Sequence, residues 1–188
     1  MWALVESNNV TQVYTRPKAL TIGDVNYPSN IFMLWTSSEL EAIGLYEVII
    51  DNSNLKNPEY YSNTAQEFTF ASNKVTASYG TATARALDDT TTDGVVTRGL
   101  KYTHSEKIDN QAYGLLQPND WMVVRNAESS KAIPSDWLDY RVAVRTAATD
   151  MKTKINAVSD VDALAALYAY SGDPATRPLG EFPTQPTS

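Results

Sequence analysis

Between residues 1 and 85 the apolar side chains arrive in short β-branched and aromatic runs broken by Asn, Gly and Pro, the pattern of strands joined by tight turns. Trp2 to Ser7 and Val10 to Thr15 flank Asn8-Asn9, whose side chains tolerate positive backbone angles, so a hairpin is predicted there. A second flanks Gly23-Asp24, from Ala19 to Ile22 and Val25 to Tyr27, with Pro17 and Pro28 at its ends. Ile31 to Trp35 is apolar throughout and reads as a strand covered on both faces. Ser37 to Gly44 reads as a short helix: Ser38 caps it, Glu41 returns the bond and Gly44 supplies the left-handed stop. Leu45 to Ile50 resumes the strand pattern, and the polar stretch Asp51 to Asn63 carries no period. Glu67 to Ala71 and Val75 to Tyr79 predict a further hairpin around Ser72-Asn73, with Phe68 and Phe70 on one face.

The period changes in the second half. Residues 86–97 are rich in Asp and Thr and are expected to form a flexible loop or linker. Ile108, Ala112 and Leu115 or Leu116 recur at helical spacing between Ser105 and Leu116, and Pro118 ends that run. Trp121 to Arg125 fits an extended segment or a continued helical arm equally well. From Asp136 to about Ala157, Trp137, Tyr140, Val144, Ala148, Met151 and Ile155 trace one stripe, with Ser135 as N-cap; about 22 residues make a rod of roughly 33 Å. Val161 to Tyr168, capped by Ser159, is expected to fold back antiparallel on it. Pro174, Pro178, Pro183 and Pro186 then mark an extended tail that wraps or dangles. The fold class expected is α+β: an N-terminal antiparallel β-rich module (1–85), a linker (86–97), a helical region containing a helical hairpin (98–171) and a Pro-rich tail (172–188).

Composition narrows the chemistry. Of 188 residues, 43% are hydrophobic and the aromatics comprise 4 Trp, 11 Tyr and 4 Phe, so a core is expected rather than a disordered chain. The absence of Cys removes disulfides, thiolate nucleophiles and iron-sulfur clusters, and one His cannot supply a site needing two imidazoles. A formal net charge of -7 makes nucleic acid a poor partner, since counterion release needs clustered basic residues. The acid is concentrated in residues 1–94, which hold 5 basic and 11 acidic side chains. No apolar run approaches the length of a membrane span, and the N-terminus lacks the basic and apolar regions of a signal peptide.

Candidate catalytic groups do not assemble. No Gly-rich phosphate loop opens a helix. His104, Ser105 and Glu106 are adjacent, and adjacent residues do not form a base–nucleophile relay, so His104 reads as a surface or cap residue. Asp88, Asp89 and Asp93 lack the Gly-turn spacing of a calcium loop. No catalytic residue, metal ligand or cofactor is therefore assigned, and the chain reads as a non-enzyme. The residues singled out for partner binding are aromatic: Trp35, Trp121 and Trp137, beside turn or cap signals, as interface anchors tend to be.

Two motifs carry a family resemblance. Leu34-Trp35-Thr36-Ser37-Ser38-Glu39-Leu40-Glu41-Ala42-Ile43-Gly44-Leu45-Tyr46 resembles a stretch of small bacteriophage tail proteins. Leu115-Leu116, Asp120-Trp121, Pro134-Ser135-Asp136-Trp137 and Tyr140-Arg141 through Arg145 resemble a signature of phage tail assembly chaperone and tail-fibre assembly proteins. The resemblance implies a non-enzymatic protein that binds a tail or tail-fibre polypeptide in the host cytoplasm during assembly and is retained in the virion tail, either alone or as a homo-oligomer. It adds Tyr140, Arg141 and Arg145 to the partner-binding residues. The helical extension and Pro-rich tail beyond the Tyr-Arg helix depart from the family pattern and favour a stable virion component over a transient chaperone. The alternative is a receptor-binding module at the tail tip that holds host glycan on Tyr and Trp platforms.

Overall fold

Ser7 and Asn8 both take positive φ, 48° and 67°, and this turn joins β1 (Trp2–Glu6) to β2 (Asn9–Tyr14) in a computed structural model that describes residues 1–187. Leu4 faces Gln12 while Val5 faces Val10, which leaves Thr11 as a bulge that bends the ribbon. β3 (Leu20–Ile22) and β4 (Val25–Tyr27) form the hairpin predicted at Gly23-Asp24. Residues Met1–Thr83 make up one compact unit and those from Ala84 onward a second.

Ile31 to Trp35 is not a strand. Asn30 begins a single helical turn, α1 (Ile31–Leu34), in which Ile31 and Phe32 are buried while Met33 and Leu34 are 74% and 72% exposed. An unbroken apolar run of five fits either element, and here one turn of helix buries only half of it. α2 (Ser37–Ala42) is capped two residues earlier than expected. The Thr36 hydroxyl accepts from the Glu39 amide at 3.3 Å and the Glu39 carboxylate accepts from the Thr36 amide at 2.8 Å, a reciprocal box. Those bonds hold the Glu39 carboxyl below its ordinary pKa, the backbone bond contributing most. Gly44 is the expected left-handed stop at φ +84°; a Cβ there would lie 2.8 Å from the Val5 carbonyl oxygen.

That close approach feeds β5 (Leu45–Asp51) alongside β1, antiparallel. The chain then crosses a loop containing β6 (Tyr61–Ser62), tied by paired bonds between Asn63 and the Lys56 backbone, before β7 (Gln66–Ala71) and β8 (Lys74–Tyr79). β8 lies between β5 and β7, parallel to β5, so the sheet order is β2-β1-β5-β8-β7. The expected antiparallel module is thus a mixed sheet. The 72–73 hairpin fixes β7 against β8 but says nothing about which of them sits beside β5, and the long loop lets β8 take the inner place.

The sheet curls into a half-barrel with a core on each face. On one, Leu4, Tyr14, Leu20, Ile31, Phe32, Leu40 and Leu45 cluster under α1 and α2, with the Phe32 ring 4.9 Å from Trp2 and 5.8 Å from Tyr14. On the other, Ala3, Val48, Val75 and Ala77 gather Val10 and Val13 from one edge strand and Phe68 and Phe70 from the opposite edge. Alternation along β1 sends Leu4 to the first core and Ala3 to the second.

β9 (Thr83–Ala84) marks the border of the second unit. Residues 86–97 are not a free linker there: β10 (Thr90–Thr92) and β11 (Val95–Thr97) pair around Asp93-Gly94, both at positive φ. Asp89 anchors the hairpin by accepting from the Gly99 amide at 2.8 Å and from Arg98 at 2.6 Å. α3 (Leu100–Leu116) therefore begins five residues before the expected start. A 3-10 turn at Gln117–Asn119, set by Pro118, leads into α4 (Asp120–Ser129), which Ser130 closes in the left-handed region.

α5 (Ser135–Ala157) carries the predicted stripe inward: Tyr140, Val144, Ala148, Met151 and Ile155 are buried. Pro134, not Ser135, holds its cap position, and no side-chain bond caps it. Its main partner is α3 rather than the helix that follows. Lys152 reaches Asp109 at 2.6 Å while Arg141 reaches the Leu116 carbonyl at 3.1 Å, so the two helices run antiparallel. α6 (Val161–Tyr168), capped by Asp160 accepting from Ala163 rather than by Ser159, buries Val161 and Leu164. The segment after it does not dangle. Leu179 is 1% exposed and its amide donates to the Leu167 carbonyl; Lys154 donates to the carbonyls of Pro178 and Leu179. Arg177 and Tyr170 both bond Glu181, and the Glu181 contact raises the Tyr170 phenol above its ordinary pKa. Of the expected Pro-rich tail (172–188), then, the part up to Glu181 is docked by these bonds and Pro183 to Thr187 lie beside α5; Ser188 lies outside the described residues. No helix among the described residues is long and apolar enough to cross a membrane.

Candidate partner-binding surfaces

The six residues singled out from the sequence fall into three structural roles. Tyr140 and Arg141 are each only 4% exposed, so their side chains serve the helical unit itself. The Arg141 guanidinium donates to the Leu116 carbonyl at 3.1 Å and to the Asp120 carboxylate at 2.7 Å. It thus clamps the α3–α4 junction to α5 through one backbone carbonyl and one carboxylate. Tyr140 packs beneath Trp137, the rings 5.8 Å apart and nearly perpendicular. Trp137 is half-buried by that contact, and Arg145 stays on its own helix, donating to the Arg141 carbonyl at 3.3 Å. These four look inward or along α5, whereas the resemblance implies outward contacts.

Trp121 is different. It opens α4, a ten-residue helix with no buried side chain, and is 53% exposed. Arg125, one turn on, lays its guanidinium 4.8 Å from the Trp121 ring centre, which braces the indole by a cation–π contact. Val124, one turn on from Trp121, is exposed on the same side of the helix, and Val123 is exposed on another. Ten residues of modest helix propensity with no buried face would not hold in isolation. Pro118 and the Arg141–Asp120 pair fix the start of α4, and Ser130 with the Asn126 side chain, donating to Lys131, fixes its end.

In the first unit, Trp35 stands at the exposed margin next to Met33 and Leu34, its ring 5.8 Å from Tyr27 and edge-on to it. Met33 and Leu34 were missed as surface residues because the run they belong to reads as doubly covered; the sign that one turn follows is Asn30 and Pro28 just before it.

The polar residues weighed for chemistry are engaged in structure. His104 is buried, not a surface or cap residue: its Nδ1 lies 2.8 Å from the Tyr168 hydroxyl, tying α3 to α6. Ser105 and Glu106 follow on the same helix, each turned about 100° from the last, so the three diverge. Asp89 anchors the hairpin and Asp88 pairs with Lys101 at 3.0 Å. No group of three His, Asp or Glu side chains among the described residues could hold a metal ion. No protein-family model matches the chain, and no curated protein or solved structure is detectably similar to it.

Proposed function

We propose that the chain is a non-enzymatic phage tail-associated protein that binds a tail or tail-fibre polypeptide during assembly in the host cytoplasm and stays with the virion tail. The observation that carries this reading is α4: a helix fixed at both ends yet with no fully buried side chain, presenting Trp121 and Val124 to solvent on one side. An ordered indole braced by Arg125, with an exposed valine one turn on, suits a protein contact better than catalysis. The segment from Leu34 to Tyr46 and the Asp-Trp and Trp-x-x-Tyr-Arg motifs supply the phage resemblance; Arg141 and Tyr140 act in it as the frame that positions α4.

The test is co-expression of the chain with the tail and tail-fibre polypeptides of the encoding phage, followed by affinity capture and mass spectrometry of the captured bands and of purified virions. The wild-type chain is expected to capture a tail or tail-fibre polypeptide and to appear in the virion. Trp121→Ser with Val124→Ser is expected to lose that capture and keep its helical circular dichroism. Capture unaffected by this pair, or glycan-array binding at micromolar strength with no tail partner, overturns the reading.

A further inference from the structure

The exposed side of α5 forms one wall of a long groove whose other wall is the docked C-terminal segment. Two stretches of about 460 and 500 Å³ share Asp139, Ala143 and Pro183 and so are continuous. Val142, Ala143 and Ala147 make an apolar floor, with Val142 55% exposed. Asp136, Asp139 and Asp150 stand along the helix at the margins, and no Lys or Arg lines either stretch. Glu181, at the far wall, is already satisfied by Arg177 and Tyr170. The three aspartates are not: among the described residues none of them has a basic partner, and Asp136 only accepts from the Trp137 amide.

We infer that this groove docks a basic amphipathic helix of a partner polypeptide. The charge pattern selects the occupant. From Asp139 to Asp150 the helix rises about 16 Å, three turns, so a partner helix bearing Lys or Arg about three turns apart would meet both carboxylates while its apolar side lies on Val142 and the two alanines. Small side chains at 143 and 147, one turn apart, let a second helix approach closely. Three carboxylates free of cations attract a cationic segment, repel an acidic one and gain little from a neutral one, and the apolar floor disfavours a plain polycation that brings nothing to cover it. The inference rests on the protein-binding reading above but uses a surface other than α4.

The full chain would be titrated, by fluorescence anisotropy at low salt, into a labelled synthetic Leu/Lys helix with lysines three turns apart, a Leu/Glu helix of the same pattern and an unpatterned Lys/Gly peptide. Saturable binding of the Leu/Lys helix alone is expected, roughly fivefold to tenfold weaker in Asp139→Asn with Asp150→Asn, by the size of two partly exposed ion pairs. Val142→Lys, which places a cation on the floor, is expected to abolish it. Asp24→Asn with Asp93→Asn, an equal change of net charge in two turns distant in sequence from α5, is expected to leave it unchanged. Equal weakening by both pairs, equal binding of the Lys/Gly peptide, or self-association of the chain that Val142→Lys dissolves would each overturn the inference. If the groove variants bind the peptide normally while Trp121→Ser with Val124→Ser loses the tail polypeptide, the groove fails and the functional reading stands. The reverse result separates them the other way.

Discussion

Replacing Arg141 is expected to damage the helical unit before it touches any partner. The Asp120 end of the ion pair is half exposed, so the pair itself contributes no more than about 1 kcal/mol. The bond to the Leu116 carbonyl adds about 1 kcal/mol. The aliphatic stem, almost wholly buried, adds about 1 kcal/mol of packing. Arg141→Ala should therefore cost about 3 kcal/mol, and at a urea slope of about 1.5 kcal/mol/M the midpoint should fall by about 2 M. Arg141→Met keeps the stem and should fall about two-thirds as far, whereas Asp120→Asn, which retains an acceptor, should fall by well under 1 M. The assay is urea unfolding followed at 222 nm, where α3 to α6 supply most of the signal. A shift below about 0.3 M for Arg141→Ala, together with lost capture of a tail polypeptide, would refute the clamp and return Arg141 to the interface.

Three further outcomes follow from the packing. Gly44→Ala should destabilise the first unit by more than about 1 kcal/mol, read as a lower thermal midpoint, since the new Cβ meets the Val5 carbonyl at 2.8 Å in a left-handed conformation. Leu179→Ala should cost about 2–4 kcal/mol and make the C-terminal segment a faster proteolysis site, while Pro186→Ala leaves both measurements unchanged. The Asp89 carboxyl is held below its ordinary pKa of 3.8, first by the Gly99 amide and then by Arg98. The folded state thus binds that proton less readily than the unfolded chain. Its stabilisation is complete above about pH 4 and is lost as pH falls through the folded value, so urea midpoints should drop more steeply below about pH 4 in wild type than in Asp89→Asn.

What the sequence disclosed was whatever neighbouring residues decide among themselves. Gly23-Asp24 and Ser72-Asn73 make hairpins because the turn and both flanks lie within a dozen residues, and the stripe from Tyr140 to Ile155 is a period of one helix. What it concealed was set at a distance. Nothing near Val75 records that its partner is Val48, so the mixed sheet was unreadable. Tyr140 and Arg141 resemble binding residues in a motif, yet the carbonyl and carboxylate that claim the guanidinium lie on the preceding helices. Four prolines left open whether the tail wraps or dangles, because proline content says nothing of Leu179, a large apolar side chain among them that is buried. Trp121 and Trp35 were legible as candidates from their neighbours; the groove beside α5 was not, because its far wall arrives from residues 181–187.

The parallel place of β8 bears on the order in which the first unit assembles. β1 with β2 and β7 with β8 close loops of a few residues and form early, but Val48 and Val75 meet only after residues 49–74 have been drawn together, at a larger entropic cost. Joining two preformed hairpins through β5 is then the slow step, and the Asn63–Lys56 bonds shorten the span that must be searched. Loosening that loop would slow refolding and leave the unfolding rate almost untouched, so any cell making this chain in quantity would meet its aggregation risk in the interval before β8 is seated.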